Sequence, residues 1–239
     1  MKKRNTIMTL AHKELFTLLN APASYVIAVL FLIMTGWFFA SYLFQTNLST
    51  LDTFLRPLPL VFTFVIPAFS MRTFSEEFKT GTIEYIATLP LKDHEIVLGK
   101  YLSLLGFLGF LLGFTLLYPL ILLIVGRPDI GQMVGSYLAI VCLGSFFTSI
   151  GLWASSMTRN QVVAFIIGFF GCFFFFLLSR IADFAPNVLV APIRWAGVDA
   201  HFDALARGVF DSRDIVYWGG GIIFFLSATL VSIQSRRWR

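Results

Sequence analysis

Five runs of 17 to 25 residues contain no Asp, Glu, Lys, Arg or His: residues 25–43, 101–125, 137–157, 162–178 and 215–233. A helix needs about 20 mostly apolar residues to cross the hydrocarbon core of a bilayer, so each run is long enough to span. A sixth run, 58–71, is shorter and carries Pro59 and Pro67. It reaches spanning length by extending to Phe74, with Arg56 and Arg72 snorkelling at its ends. The composition agrees: 57% of the 239 residues are apolar and only 13% are charged. That excludes a disordered chain, and it leaves too few polar side chains to cover a soluble globule. The expected fold is an all-α integral membrane protein with six transmembrane helices.

The basic residues test the sixth span. With six spans both termini share a side, which then carries twelve of the 18 Lys and Arg residues, among them Lys2, Lys3, Arg4, Lys13, Lys79, Lys100 and Arg236. The other side carries six: Arg56, Arg127, Arg180, Arg194, Arg207 and Arg213. The positive-inside rule makes the richer side cytoplasmic. Omitting the short span would put the two basic termini on opposite sides. The net charge of +5 is thus a topological signal and calls for no nucleic acid. The basic N-terminus resembles the start of a signal peptide, but the first apolar run is of spanning length and no small-residue cleavage site follows it. It is expected to stay attached.

Three segments outside the spans carry structure. In residues 6–22, Ile7, Leu10, Ala11, Leu15 and Leu18 share one helical face, and Asn20 and Pro22 end the helix. An amphipathic helix just before a span lies flat in the interface. Glu14 sits close to the apolar stripe, a poor place for it in lipid, and this points to a protein contact there. In residues 72–100, Gly81 permits a sharp turn, Thr82 can cap a short helix, Glu84 suits its first turn and Pro90 ends it. Seven or so residues are too few for a helix to persist alone in water, so this one must dock on something through Ile83, Ile86 and Ala87. Asp93 is expected to cap the helix leading through Lys100 into the third span. In residues 182–214, Phe202, Leu205, Ala206, Val209 and Phe210 form a stripe that Asp199 can cap, with Gly208 near its end. His201, Asp203 and Asp199 are loosely spaced for a metal site and read better as a cap and a solvated polar face. Gly109-x-x-x-Gly113 and Ser145-x-x-x-Ser149, with Gly144 and Gly151, mark close helix packing. Cys142 and Cys172 read as small core residues.

Several chemistries have no residues to carry them. The spans hold no ionisable group for a proton-coupled carrier, and no internal repeat of the kind that sodium-coupled carriers show. Span serines lack an activating base, which argues against a membrane enzyme. No G-x-x-x-x-G-K-[ST] loop is present to cradle ATP. No cofactor is expected, and energy for transport must come from a partner.

The run Glu76-Glu77-Phe78-Lys79-Thr80-Gly81-Thr82-Ile83-Glu84, ending Leu89-Pro90, resembles the E-E-x-[KR]-x-G-T-[IL]-E segment of type-2 ABC transporter permeases. Lys13-Glu14-Leu15 followed by Pro22 and Tyr25, the 95–100 and 155–161 segments, His201-Phe202-Asp203-x-x-x-Arg207-Gly208 and the basic ending are similar to the branch that includes the gliding-motility ABC permease. The resemblance implies a permease subunit that pairs into a homo- or heterodimer and binds two copies of a separate ABC ATPase. It implies that residues 6–22 are an interfacial elbow helix and that Glu76, Glu77, Lys79, Gly81, Thr82, Ile83, Glu84 and Ile86 belong to a coupling segment. Glu76, Glu77, Lys79 and Glu84 would be its rim charges and Ile83 and Ile86 its core. Residues 182–214 would form an outer re-entrant hairpin including His201, Phe202, Asp203 and Arg207. The implied location is the bacterial inner membrane. An alternative is a membrane anchor of an ATP-driven envelope or motility machine that moves no solute.

Overall fold

A computed structural model describes residues 6–46, 56–82, 92–125, 129–181, 186–209 and 211–237. Eleven helices occupy them: α1 (Thr6–Asn20), α2 (Pro22–Thr46), α3 (Leu58–Ser70), α4 (Arg72–Thr80), α5 (Asp93–Thr115), α6 (Leu117–Val125), α7 (Ile130–Met157), α8 (Gln161–Ile181), α9 (Asn187–Ala196), α10 (Val198–Ala206) and α11 (Ser212–Arg237). Six stretches are long and apolar enough to cross a membrane: Pro22–Ser41, Leu58–Thr80, Asp93–Ile124, Ile130–Met157, Gln161–Ile181 and Ser212–Ser235. The chain is an all-α integral membrane protein, and six crossings return it to the side on which α1 lies.

The short, proline-bearing second span gains its length from α4. Met71 keeps helical dihedrals between α3 and α4, so the two run on as one rod to Gly81. At the joint Ser155 of α7 enters the backbone ladder. Its hydroxyl accepts from the amides of Phe74 (2.9 Å) and Ser75 (3.2 Å) and donates to the Met71 carbonyl (3.0 Å). A side chain inserted this way lets a helix change direction without orphaning its buried amides. At the far end Gly81 adopts φ +75°, a left-handed conformation that terminates the rod and that only glycine takes without strain.

Span four, α7, is the centre of the bundle. It packs against α3, α8, α10 and α11, and Ile140, Leu143, Phe147, Ile150 and Leu152 along it are fully buried. Its glycines permit this crowding. A Cβ at Gly144 would lie 2.5 Å from Leu108 Cδ2, and one at Gly151 would collide with the Ser70 hydroxyl. The Gly109/Gly113 pair of α5 behaves differently from the packing expectation: a Cβ at either would meet no described residue within 4 Å.

Local caps follow short polar side chains. Asp129 Oδ1 accepts from the Gly131 amide (2.8 Å) at the start of α7, and Asn160 Oδ1 from Val162 (2.9 Å) at the start of α8. Two expected caps move. The helix into span three is capped at Lys92, whose amide donates to Glu95 Oε2 (3.0 Å), and Asp93 sits in its first turn. The cap of α10 is Gly197, not Asp199. Gly197 lies against Ser179, where any Cβ would clash, and the Asp199 amide donates to Ser179 Oγ (3.0 Å).

Candidate functional site

Two buried clusters of ionisable groups stand at opposite ends of the bundle. At the α1 end, Lys100 is fully buried on the first turns of α5. Its Nζ donates to Glu77 Oε1 of α4 (2.6 Å), to the Thr73 carbonyl (3.1 Å) and to Glu14 Oε2 of α1 (3.4 Å). The ammonium also lies 5.2 Å from the Phe74 ring centroid. One cation therefore joins α1, α4 and α5. A buried ammonium is tolerated only when its three donors are matched, and here each has an oxygen. Glu77 Oε2, Thr73 Oγ1 and Arg72 Nε, beside it, are buried without a hydrogen-bond partner among the described residues.

The path of α1 explains how Glu14 reaches this site. The predicted face lies against α5: Ala11 is buried, and Leu10 and Leu15 close over Gly99 and Gly106. Seven residues separate those glycines, two helical turns, so they present one flat strip to α1. Met8, Lys13 and Phe16 point away and are exposed. The contact that Glu14's position in the stripe demanded is the one to Lys100.

The residues read together as a coupling segment divide. Glu77, expected among the rim charges, turns inward, where its Oε1 accepts from Lys100. Glu76 and Lys79 are exposed on the opposite face, and Thr80 Oγ1 meets Thr82 Oγ1 across Gly81 at 2.9 Å. Ile83, Glu84, Ile86 and Pro90 lie outside the described residues, as does Phe210. Lys100 entered the sequence reading as a topological charge, as part of the helix into span three and within the 95–100 segment, not as a site residue. Its signal was a lone cation directly ahead of a span, one turn past Glu95 and Ile96.

At the other end, α9 and α10 follow one another across Gly197, and α10 lies on α7, where Ser136 Oγ donates to the Ala206 carbonyl (3.2 Å). Val198, His201, Phe202, Leu205 and Ala206 form the buried face, whereas Val209 is exposed. The expectation of a solvated His201 is corrected: only 5% of it is exposed. Nδ1 lies 2.5 Å from Asp214 Oδ1 of α11, and Nε2 2.9 Å from the Trp195 carbonyl of α9. A carbonyl can only accept, so Nε2 carries a proton, and a single further proton sits between Nδ1 and Asp214. Tyr217 stacks on the imidazole at 4.0 Å, with Trp195 and Trp218 edge-on. Asp203 and Arg207 point elsewhere and are exposed. No group of three His, Cys, Asp or Glu among the described residues could hold a metal ion.

Six apolar crossings, an amphipathic helix laid against span three and a helical pair between spans five and six define a multi-span membrane permease. The chain belongs to the ABC-2 family of transporter proteins, whose model matches residues 9–235. It is therefore a membrane-spanning transport component of an ABC transporter, and such a component is not itself the catalytic part. No curated protein matches the chain significantly.

Proposed function

We propose that this chain couples ATP hydrolysis by two copies of a separate ABC ATPase to transport across the bacterial inner membrane, paired with a second permease chain and with both termini cytoplasmic. The observation that carries the reading is the Lys100 cluster. Span two runs on through α4 to Gly81, and Lys100 ties α4 to α1 and α5 through Glu77, about one turn before that end. A push on the segment after Gly81 would be delivered through this knot to three elements together, and through Ser155 to α7. Residues 83–86 would seat in the ATPase, with Ile83 and Ile86 as apolar anchors and Glu76, Lys79 and Glu84 at the rim. ATP would bias two discrete packings of the bundle, the work coming from its differential affinity for the two states. Residues 182–214 would form the outer re-entrant hairpin. The segments 13–15 and 201–208 support a place near the gliding-motility branch.

Reconstitution in lipid tests this reading. The chain alone is expected to hydrolyse no ATP, and addition of the chain is expected to change the partner ATPase's turnover. Hydrolysis by the pure chain, or a turnover indifferent to its presence, would overturn it. The anchor alternative parts from transport in the same assay, because its turnover would respond to a protein partner and not to a solute.

A further inference from the structure

A cavity of about 300 Å³ opens at the α10 end between the turn before α3, the last turn of α8 and the exposed side of α10. Arg56, Arg180, Arg207, Asp199 and Asp203 line it, over a floor that includes Pro59 and Phe202. Three guanidiniums meet two carboxylates there, so the lining is net cationic. The charges are also unevenly matched. Arg180 Nε lies 3.4 Å from Asp199 Oδ2. Arg207 donates its Nε to the Asp203 carbonyl (3.1 Å), and its two terminal nitrogens make no hydrogen bond or ion pair with any described residue. Arg56 makes no hydrogen bond or ion pair with any described residue. A planar fork of this kind is the side chain best suited to bind a phosphate through two oxygens.

A second observation says what the phosphate is attached to. From Arg180 a ladder of half-buried phenylalanines runs down α8 into the apolar span. The Arg180 guanidinium lies over Phe176 (5.6 Å), and Phe176, Phe173, Phe169 and Phe165 follow at centroid spacings of 6.1, 5.5 and 6.3 Å. Phe64 of α3 stands beside Phe169 at 4.6 Å and is 47% exposed. The eleven residue steps from Phe176 to Phe165 rise about 16 Å, most of the length of an extended acyl chain. A cationic cavity at the membrane edge, continuous with an accessible aromatic track through the apolar layer, matches an amphiphile with a phosphate head.

We propose that this cavity and ladder bind a membrane phospholipid, its phosphate held by Arg56, Arg180 and Arg207 and one acyl chain laid along Phe176, Phe173, Phe169 and Phe165. The site is independent of the docking assigned to the segment after Gly81. The test is native mass spectrometry of the purified chain in detergent, titrated with phosphatidylglycerol, with diacylglycerol and with inorganic phosphate. Phosphatidylglycerol is expected to bind stoichiometrically. Diacylglycerol, lacking the phosphate, should bind at least tenfold more weakly. Inorganic phosphate at equal concentration should not displace the lipid. The exposed pair Arg56→Gln/Arg207→Gln should weaken phosphatidylglycerol at least tenfold without lowering the melting temperature. Equal binding of diacylglycerol, an unaffected double variant, or displacement by inorganic phosphate would overturn the proposal, the last by making the site one for a soluble anion. A phospholipid carrying a photoreactive acyl chain gives a second readout on the unaltered protein. Adducts are expected in the peptide containing Phe165–Phe176 or at Phe64, and adducts confined elsewhere would refute the track.

Discussion

Lys100 and His201 are both buried among aromatic rings, one at each end of the bundle, and their charges are balanced in opposite ways. Lys100 meets two carboxylates, Glu77 and Glu14, drawn from sequence positions 23 and 86 residues away. It is one cation against two anions, and one carboxylate oxygen is left without a partner. His201 meets a single carboxylate 13 residues on, and the pair shares a proton, so it is neutral whichever side holds it. The first cluster joins elements distant in sequence, α1, α4 and α5, through one buried cation. The second is a local latch between α9, α10 and α11, closed by short-range contacts.

Removal of the buried lysine should separate the two ends most strongly. Lys100→Met leaves Glu77 and Glu14 facing each other half-buried, and removal of one partner of a buried pair costs about 3–5 kcal/mol. Thermal unfolding in detergent should show this as the largest loss of any substitution considered, and adding Glu77→Gln should recover part of it. A loss no greater than that of an exposed lysine such as Lys13→Met would mean that the cluster clamps nothing.

A smaller effect is expected at the other end. His201→Phe keeps a ring against Tyr217 but strips the hydrogen bonds from Asp214 Oδ1 and the Trp195 carbonyl. Hydrogen bonds to charged groups contribute about 1.5–3 kcal/mol, so a loss near 2 kcal/mol at neutral pH is expected. A loss as large as that of Lys100→Met, read in the same thermal unfolding experiment, would erase the distinction.

The smallest effect lies at the cavity beside that latch. Burial pushes the Asp199 carboxyl up from 3.8 to about 6, Arg180 opposes the shift and Asp203 adds to it. The fold therefore holds this proton more tightly than the unfolded chain does. Its contribution to stability is fully present below about pH 4 and is lost as pH rises through about 6. Protonation also releases Arg180 and makes the cavity, lined by Arg56, Arg180, Asp203 and Arg207, more cationic. Exposed charge pairs contribute about 0.2–1 kcal/mol, so phosphatidylglycerol should bind about two- to fivefold more tightly at pH 5 than at pH 7.5. Asp199→Asn should remove that dependence, and its persistence in the variant would move the titrating group elsewhere.

The spans were legible because lipid imposes one requirement everywhere: the apolar runs and the basic residues between them mark the crossings without reference to neighbours. The same held for α1, whose apolar face is set by period alone, and for Glu14, whose awkward position in that face announced a contact. What the pattern could not supply was the other half of each contact. Lys100, Glu77 and Glu14 converge only once α1 lies on the Gly99/Gly106 strip and α4 continues span two. Glu77 and Glu76 are adjacent in sequence, yet one helical step turns one inward and the other out. His201 was misread for a related reason. It sits three residues from Val198 and one from Phe202, inside the stripe, but its polarity outweighed its position until Asp214 and Trp195 supplied partners.

In the proposed function, the α1 end carries force from an ATPase seated on the segment that follows Gly81. Co-purification of the partner ATPase with Ile83→Asp, read beside the melting curve of the variant permease, tests it most directly. An unpaired carboxylate in the proposed apolar contact should cost a few kcal/mol, or about a hundredfold in affinity. Loss of the ATPase with an unchanged melting temperature is expected, while Glu84→Gln retains the complex and alters mainly its salt dependence. A complex that survives Ile83→Asp intact, or a variant that unfolds the bundle, would contradict it.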